Sequence, residues 1–462
     1  MDAVMLARIQ FALTIGYHFI FVPISIGVGM MVVLSERRHY KSGIPADRAA
    51  SNFWIKLFTA TFAIGVATGI TMEFAFGTNW AEYSRFVGNI FGAPLAAEGL
   101  IAFFLESTFL GILLFGRKRV SRGFYYASAW LVWIGSLLSA LWILIANSWM
   151  QTPAGYEIED GKAVLTSFWA AALNPSIGPR YFHTVAAALL TGCFVVAGVC
   201  AYYMLKKRHA QFARRTMLWA ASVGLVLAIA MPFLGHWGAL VVAEYQPIKM
   251  AAFENIGDTQ TNAPLYLFGW VNSTGETTGI SIPSGLSLML GLSPDHEVTG
   301  LNSVAPADRP PAQLTFQSYH LMIALGFLFI LVFLVAIFLH WRKRLESARW
   351  FLWVLIACIP LSIIAINMGW TAAEVGRQPW VVQGLMRTSD AVSPLVSAGQ
   401  IWATIGLFVL IYLVLFVAWL RIFLGIIKKG PEDTAEMLEA EKAGAEPLAP
   451  DATGPAPAGA GR

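Results

Sequence analysis

Nine stretches of this sequence are long and apolar enough to cross a bilayer, and that constrains the fold more than anything else in it. A membrane-crossing α-helix needs roughly 20 predominantly apolar residues. Runs of that kind lie near 9–34, 53–77, 93–116, 125–147, 180–205, 217–241, 315–341, 350–370 and 397–424. Lipid offers the backbone no hydrogen-bond partner, so a chain with such runs satisfies its N–H and C=O groups within helices. The predicted fold is an all-α integral membrane protein of nine transmembrane helices. Composition agrees: 13% of the residues are charged, about half of the ~25% usual in soluble proteins. That is too little polar side chain to cover a water-facing surface.

An odd number of spans puts the two termini on opposite sides of the membrane, and charge orients them. Alternate connections are cationic: Arg37, Arg38, Lys41 and Arg48; Arg117, Lys118, Arg119 and Arg122; Lys206, Lys207, Arg208, Arg214 and Arg215; Arg342, Lys343, Arg344 and Arg349; then Lys428 and Lys429 after the last run. The intervening connections are poor in Lys and Arg. Basic loops stay on the cytoplasmic side, so the N-terminus is expected outside and the C-terminus inside. The expected organisation is helices 1–6 over 1–241, an outer loop over 242–314, helices 7–9 over 315–427, and a disordered cytoplasmic tail over 428–462. The loop is longer than a connection requires and acidic, and long loops are functional or disordered. The tail is rich in Ala, Pro, Gly and Glu, a composition that buries too little apolar surface to order itself. Met1-Asp2 runs into the first apolar stretch without a basic leader or a cleavage site, so the first helix is expected to stay in the mature protein. Cys193, Cys200 and Cys358 all lie in apolar runs. They form neither a disulfide framework nor a metal-binding spacing.

Ionisable residues inside such runs are expensive and mark function by default. His18 lies in helix 1, Glu98 and Glu106 in helix 3, His183 near the start of helix 5, His236 near the end of helix 6, and His320 and Met322 near the start of helix 7. Glu374 and Arg377 follow helix 8 directly. His183 and Met322 are placed one or two turns inside the outer face. An imidazole and a thioether at matching depth can hold the two axial positions of a low-spin haem. Taken singly, each also reads as an ordinary residue, a hydrogen-bonded helix-end histidine or a packed methionine. Glu98 and Glu106 are eight residues apart, roughly 80° around an α-helix and about 12 Å along it, a spacing for successive proton stations rather than one shared site. They also read as protonated structural glutamates. Lys56, at the inner end of helix 2, reads as a snorkelling interface residue. His39, His209, His296 and His340 read as solvated or interfacial, and His236 is given no role.

Three strings carry a resemblance to a known family. They are Gly369-Trp370-Thr371-Ala372-Ala373-Glu374-Val375-Gly376-Arg377-Gln378-Pro379-Trp380, Lys249-Met250-Ala251-Ala252-Phe253-Glu254, and Ala97-Glu98 through Phe104-Leu105-Glu106-Ser107. Over about residues 1–427 the chain resembles subunit I of the cytochrome bd quinol oxidases, the cyanide-insensitive type with a short quinol loop. The resemblance implies that His183 and Met322 are the axial pair of a low-spin haem b. It implies that His18 and Glu374 are the ligands of a buried two-haem centre, a high-spin haem b with haem d or a further haem b in its place. Glu98 would stand beside that centre, Arg377, His320 and Trp380 in the haem-propionate environment, and Trp370 between the haems. His320 stands where many relatives have Arg. Lys249 and Glu254 would bind ubiquinol on the 242–314 loop. Glu106, Ser107, Ser139 and Lys56 would form a proton path from the inside.

The implied activity is quinol:oxygen oxidoreduction in a bacterial inner membrane, charge being separated without pumping. The implied partners are an oxidase subunit II and a small single-helix accessory subunit, with the lipid bilayer as surroundings and no nucleic acid. A proton-coupled transporter is the rival reading. It accounts for Glu98 and Glu106 but leaves His183, Met322, Glu374 and Arg377 without a role. Di-haem cytochrome b and haem–copper subunits need histidine arrays that this sequence lacks.

Overall fold

In a computed structural model of the chain, which describes residues 2–272 and 275–431, nine helical segments are long and apolar enough to span a membrane. In chain order the helices are α1 (Ala3–Ser42), α2 (Pro45–Thr78), α3 (Ala81–Ala97), α4 (Phe104–Phe115), α5 (Arg122–Gln151), the short α6 (Phe168–Ala172), α7 (Ile177–Leu205), α8 (Ala210–Tyr245), α9 (Pro247–Glu254), α10 (Gly285–Gly291), α11 (Ala312–Trp341), α12 (Arg349–Val375), the short α13 (Thr388–Ala391) and α14 (Ala398–Lys429). A π-helical turn, Glu98–Phe103, joins α3 to α4, so these two make one span. The strands pair as three antiparallel hairpins: β1 (Tyr156–Glu159) with β2 (Lys162–Leu165), β3 (Leu265–Val271) with β4 (Thr277–Ile282), and β5 (Trp380–Val382) with β6 (Met386–Arg387).

The helices overrun the apolar stretches that announce them. α1 continues through its basic residues until Gly43, whose φ of 68° closes the helix in the left-handed region that glycine enters most readily. α12 runs to Val375 and so takes in Glu374, which the sequence reading placed just beyond the helix. α14 runs to Lys429, its last-turn lysines opposing the negative end of the helix dipole. Residues 428–431, assigned to the tail, therefore belong to this helix and its end, and 432–462 lie outside the described residues.

Packing is centred on α7. In its most apolar window 78% of the residues are buried, against 12% for the span through α4 and 17% for α14, which therefore lie at the periphery. Between helices already in lipid, close approach of small residues replaces the hydrophobic effect as the cause of association. α7 supplies Gly192, Ala197, Gly198 and Ala201, all buried. Gly27 of α1 and Gly192 of α7 meet backbone to backbone, and a Cβ on either would overlap the other. α7, α8, α11 and α12 pack in a ring in which α7 and α11 are diagonal. Phe194 and Phe333 stack inside it with ring centroids 4.4 Å apart.

The two ends differ in kind. At one end lie the short basic connections, where Arg117 bonds Glu36 at 2.9 Å beside Ser51 and lies 4.1 Å from the Tyr125 ring centroid. At the other, residues 246–311 fold into α9, α10 and the β3–β4 hairpin around buried Met250, Phe253, Leu286 and Leu301. Since no space remains at the α1–α7 crossing, Gly192→Val is expected to destabilise the bundle by about 1–3 kcal/mol. A lowered thermal unfolding midpoint in detergent would register this, and an unchanged midpoint would show that the two backbones do not touch.

Candidate functional site

Four helix ends converge beneath the 246–311 segment, and each contributes a polar or charged side chain to one buried cluster. The last turn of α12 carries Glu374, the last turns of α5 carry Asn147 and Gln151, the start of α7 carries Arg180, and the start of α9 carries Lys249. Glu374 Oε2 accepts from Arg377. Its Oε1 accepts from Asn147 at 3.2 Å and from Gln151 at 3.0 Å. Arg180 donates to Asn147 Oδ1 at 3.0 Å. Lys249 Nζ donates to Gln151 Oε1 at 2.8 Å and to Gln246 Oε1 at 3.3 Å.

Fully charged, Arg180, Lys249 and Arg377 set three cations against the one carboxylate of Glu374. An unbalanced buried charge is penalised by several kcal/mol. One relief is visible: burial first, and then the charge of Arg180, pushes Lys249 well below the ordinary lysine range, against the pull of Glu374. The other relief is an anionic ligand. Arg377 is 5% exposed, and its Nε and Nη1 have no partner. Donors of this kind match carboxylates.

The histidine and methionine singled out in the sequence lie on the diagonal helices of the ring. His183 is one turn beyond Arg180 on α7, and its buried Nδ1 has no partner. A Cβ on Gly235 of α8 would stand 3.6 Å from its Cε1, and one on Gly369 of α12 would stand 2.8 Å from Met322 Sδ. Each candidate ligand thus faces a glycine of a neighbouring helix: a side chain at Gly369 would crowd Met322, whereas a Cβ at Gly235 would only touch His183. On α1, His18 Nδ1 lies 2.8 Å from Thr68 Oγ1, whose hydroxyl also lies 2.9 Å from Ile64 O and 3.0 Å from Gly65 O. A hydroxyl that donates to a carbonyl accepts from the ring, so the proton resides on Nδ1 and Nε2 keeps its lone pair. That tautomer is the one a metal takes. The next residue, Phe19, packs edge-on to Trp370 of α12 at 5.1 Å.

The two glutamates of the third span meet one face of α5. Ser139 donates to Glu98 Oε1 at 2.7 Å, and Glu106 lies beside Ser136, one turn away on α5. The expected 80° between them assumed an unbroken α-helix. The π-helical turn takes up an extra residue and turns both carboxylates toward α5. Ser107 is exposed and donates to its own backbone, Phe103 O, at 2.8 Å, so it is not gathered with Glu106. Lys56 is exposed near the basic end of α2.

Lys249 and Glu254 are separated. Five residues apart on α9, they point roughly 140° apart. Lys249 joins the Glu374 cluster, whereas Glu254 Oε2 accepts from Tyr266 N at 3.0 Å and lies 3.6 Å from His320 Nε2. Glu254 Oε1 is buried without a partner, and burial raises its pKa above the usual carboxylate range, opposed by the neighbouring His320. His320 directs Nδ1 to Phe316 O at 2.9 Å and Nε2 to Tyr266 O at 3.0 Å. Both acceptors are served only by a ring carrying both protons, which the Glu254 carboxylate balances. His320 is therefore tied to Glu254 and the loop. Trp380 stacks under Arg387 at 5.0 Å, and Arg387 pairs with Asp308 at 2.5 Å.

Sequence reasoning missed Arg180, Asn147, Gln151 and Glu73. Arg180 was legible as lying one helical turn from His183. Glu73, exposed on α2 and within electrostatic reach of Glu98, is an acid in an apolar run and met the criterion applied to Glu98. Asn147 and Gln151 carried no signal, because amides are common near helix ends.

The description cytochrome bd terminal oxidase subunit I names the family model that matches residues 6–431. The chain is 39% identical to the cytochrome bd ubiquinol oxidase subunit 1 of Bacillus subtilis (strain 168), covering 94% of this chain and 95% of that one. It is 34% identical to the cytochrome bd-II ubiquinol oxidase subunit 1 of Escherichia coli (strain K12), covering 93% and 97%. Its fold matches the bd oxidase from Geobacillus thermodenitrificans with a TM-score of 0.87 at 30% identity, over 93% of this chain and 99% of that one. The chain belongs to the cytochrome bd terminal oxidase subunit I family.

Proposed function

We propose that this chain is the haem-bearing catalytic subunit of a terminal quinol oxidase in a bacterial inner membrane, taking electrons from ubiquinol at the loop end and delivering them to dioxygen. The family membership supports the activity. The observation that carries the assignment of the site is the buried surplus of positive charge around Glu374, next to a histidine whose ring nitrogen has no partner. Arg180 and Arg377, joined by Lys249 when it is protonated, face one carboxylate, an arrangement that haem propionates neutralise. His183 and Met322 would hold a low-spin haem b. His18 through Nε2, and Glu374, would hold a high-spin haem b and a haem d or a further haem b. When bound, the haems supply one-electron transfer and the reduction of dioxygen to water.

The chain's own residues bind substrate, place charge and move protons. Glu254 is the base at the quinol: its free Oε1 is an acceptor for a quinol hydroxyl, while the Tyr266 N–H holds the other oxygen, with His320 3.6 Å from it. Lys249, joined through Gln151 to Glu374, links the quinol-binding loop to the haem-carboxylate cluster rather than sharing a pocket with Glu254. Trp370, packed on Phe19, fills the space between α1 and α12. Glu106 and Glu98, each beside a serine of α5, carry protons from the basic end toward the haem centre. Protons released at one face and consumed from the other separate charge without a pump. A subunit II, forming a heterodimer with this chain, and a small single-helix subunit complete the assembly.

His183→Ala and Met322→Ala should each abolish the low-spin haem absorbance while the protein still inserts. An unchanged low-spin spectrum in both would refute the assignment.

Glu254 acts as a base only when ionised, and its pKa is raised. As pH falls through that value it takes up a proton, so the acid limb of kcat/KM for quinol should lie above the ordinary carboxylate pKa of about 4.3. Glu254→Gln should slow quinol oxidation on the order of 10²–10⁴-fold and erase that limb. A retained limb would assign it to another group.

Glu106→Gln should slow turnover with little change in haem content, and full oxygen consumption in this variant would remove Glu106 from the proton path.

A further inference from the structure

The oxidase chemistry makes no use of a cavity at the opposite end of the bundle. It measures about 560 Å³ and lies between the start of α8 and the end of α11, lined by Ala210, Gln211, Arg214, Arg215, Leu218 and His340. Gln211, Arg214, Arg215 and Leu218 are spaced i, i+3, i+4 and i+7, so they form a single stripe on α8. The stripe is graded. Its polar and cationic members stand at the helix start, level with the basic connections, and Leu218 lies deeper, toward the hydrocarbon. Beyond Leu218 this side of α8 continues apolar and exposed, with Val226 and Ile229.

The guanidinium groups at the mouth are exposed. Arg214 forms a two-point pair with the exposed Glu346 on the water side, so an entering phosphate shares this arginine with that carboxylate. Arg215 reaches Asp47 at no closer than 3.9 Å. The flanking connections add Lys206, Lys207, Arg208, Arg342, Lys343 and Arg344. A ligand entering here meets cations at the level of lipid headgroups and apolar walls below them. Basic pockets between membrane helices at the cytoplasmic face match acidic headgroups. A zwitterionic headgroup would bring its own cation among the arginines.

We propose that this cavity binds one acidic phospholipid of the adjoining leaflet, with its phosphate between Arg214 and Arg215 and an acyl chain along the α8–α11 seam past Leu218. The site is independent of the haem and quinol assignments, so its test stands or falls apart from theirs.

The test is native mass spectrometry of the intact oxidase complex, given phosphatidylglycerol or phosphatidylcholine of the same chain length. One phosphatidylglycerol should be retained in preference to phosphatidylcholine. Arg214→Gln with Arg215→Gln should weaken that retention about thirtyfold. Leu218→Trp, which leaves every charge in place and fills the cavity, should release the lipid as well. Haem content and the thermal unfolding midpoint should match the parent complex in both variants. Equal retention of the two lipids, or retention unaffected by either variant, would overturn the proposal. So would loss in the arginine variant alone, which would indicate diffuse attraction to a basic surface. If the arginine variant fails to assemble, Leu218→Trp decides by itself.

Discussion

The site depends on the rule that charge inside a membrane bundle must find a counter-charge, since neither water nor lipid will supply one. Around Glu374 that rule brings together helices remote in sequence: α5 through its amides, α7 through Arg180, α9 through Lys249 and α12 through Glu374 itself. These groups sit at helix ends, the one level of the bundle where the chain can turn and where backbone polar groups are already present. Among these groups alone the cationic side chains outnumber the single carboxylate. A network satisfied internally would have read as structural.

Close backbone packing makes the convergence possible. Gly27 against Gly192 lets α1 lie on α7 with no side chain between them. That brings His18 and Phe19 of α1 into the same region as Trp370 of α12. Gly369 opposite Met322 does a different job, leaving room around a candidate ligand inside the ring of α7, α8, α11 and α12. In one case glycine permits contact, and in the other it preserves space.

The spans were legible in the sequence, because length and hydropathy dictate them with no knowledge of what packs where. The string around Glu374 was legible for another reason: six specified residues in a window of seven, Glu374 to Trp380 with Val375 open, are specific without any structure. What could not be read was convergence. Arg180 and Lys249 are 69 residues apart in the sequence, and nothing local says that they share one carboxylate. Lys249 and Glu254 look like one site because they share a short string, yet a five-residue step on a helix sends them to different neighbours. Helix ends were also misjudged, since hydropathy reports where lipid stops, whereas hydrogen bonding and capping decide where a helix stops. Glu73, an acid within an apolar run, was legible by the same rule as Glu98.

The π-helical turn at Glu98–Phe103 has a consequence for how this span tolerates change. It acts as a phase shifter: α3 above it and α4 below it are two helices with independent angular clocks, joined without a break. The alignment of Glu98 and Glu106 along one face of α5 is therefore held by a single surplus residue. Straightening the turn into α-helix with all eight residues kept would swing Glu106 roughly 80° away from the face that Glu98 presents to α5, whereas a span shorter by one residue in the turn would keep the two aligned as an unbroken α-helix. The connection between the two carboxylates is stored in how the turn is wound as much as in residue identity.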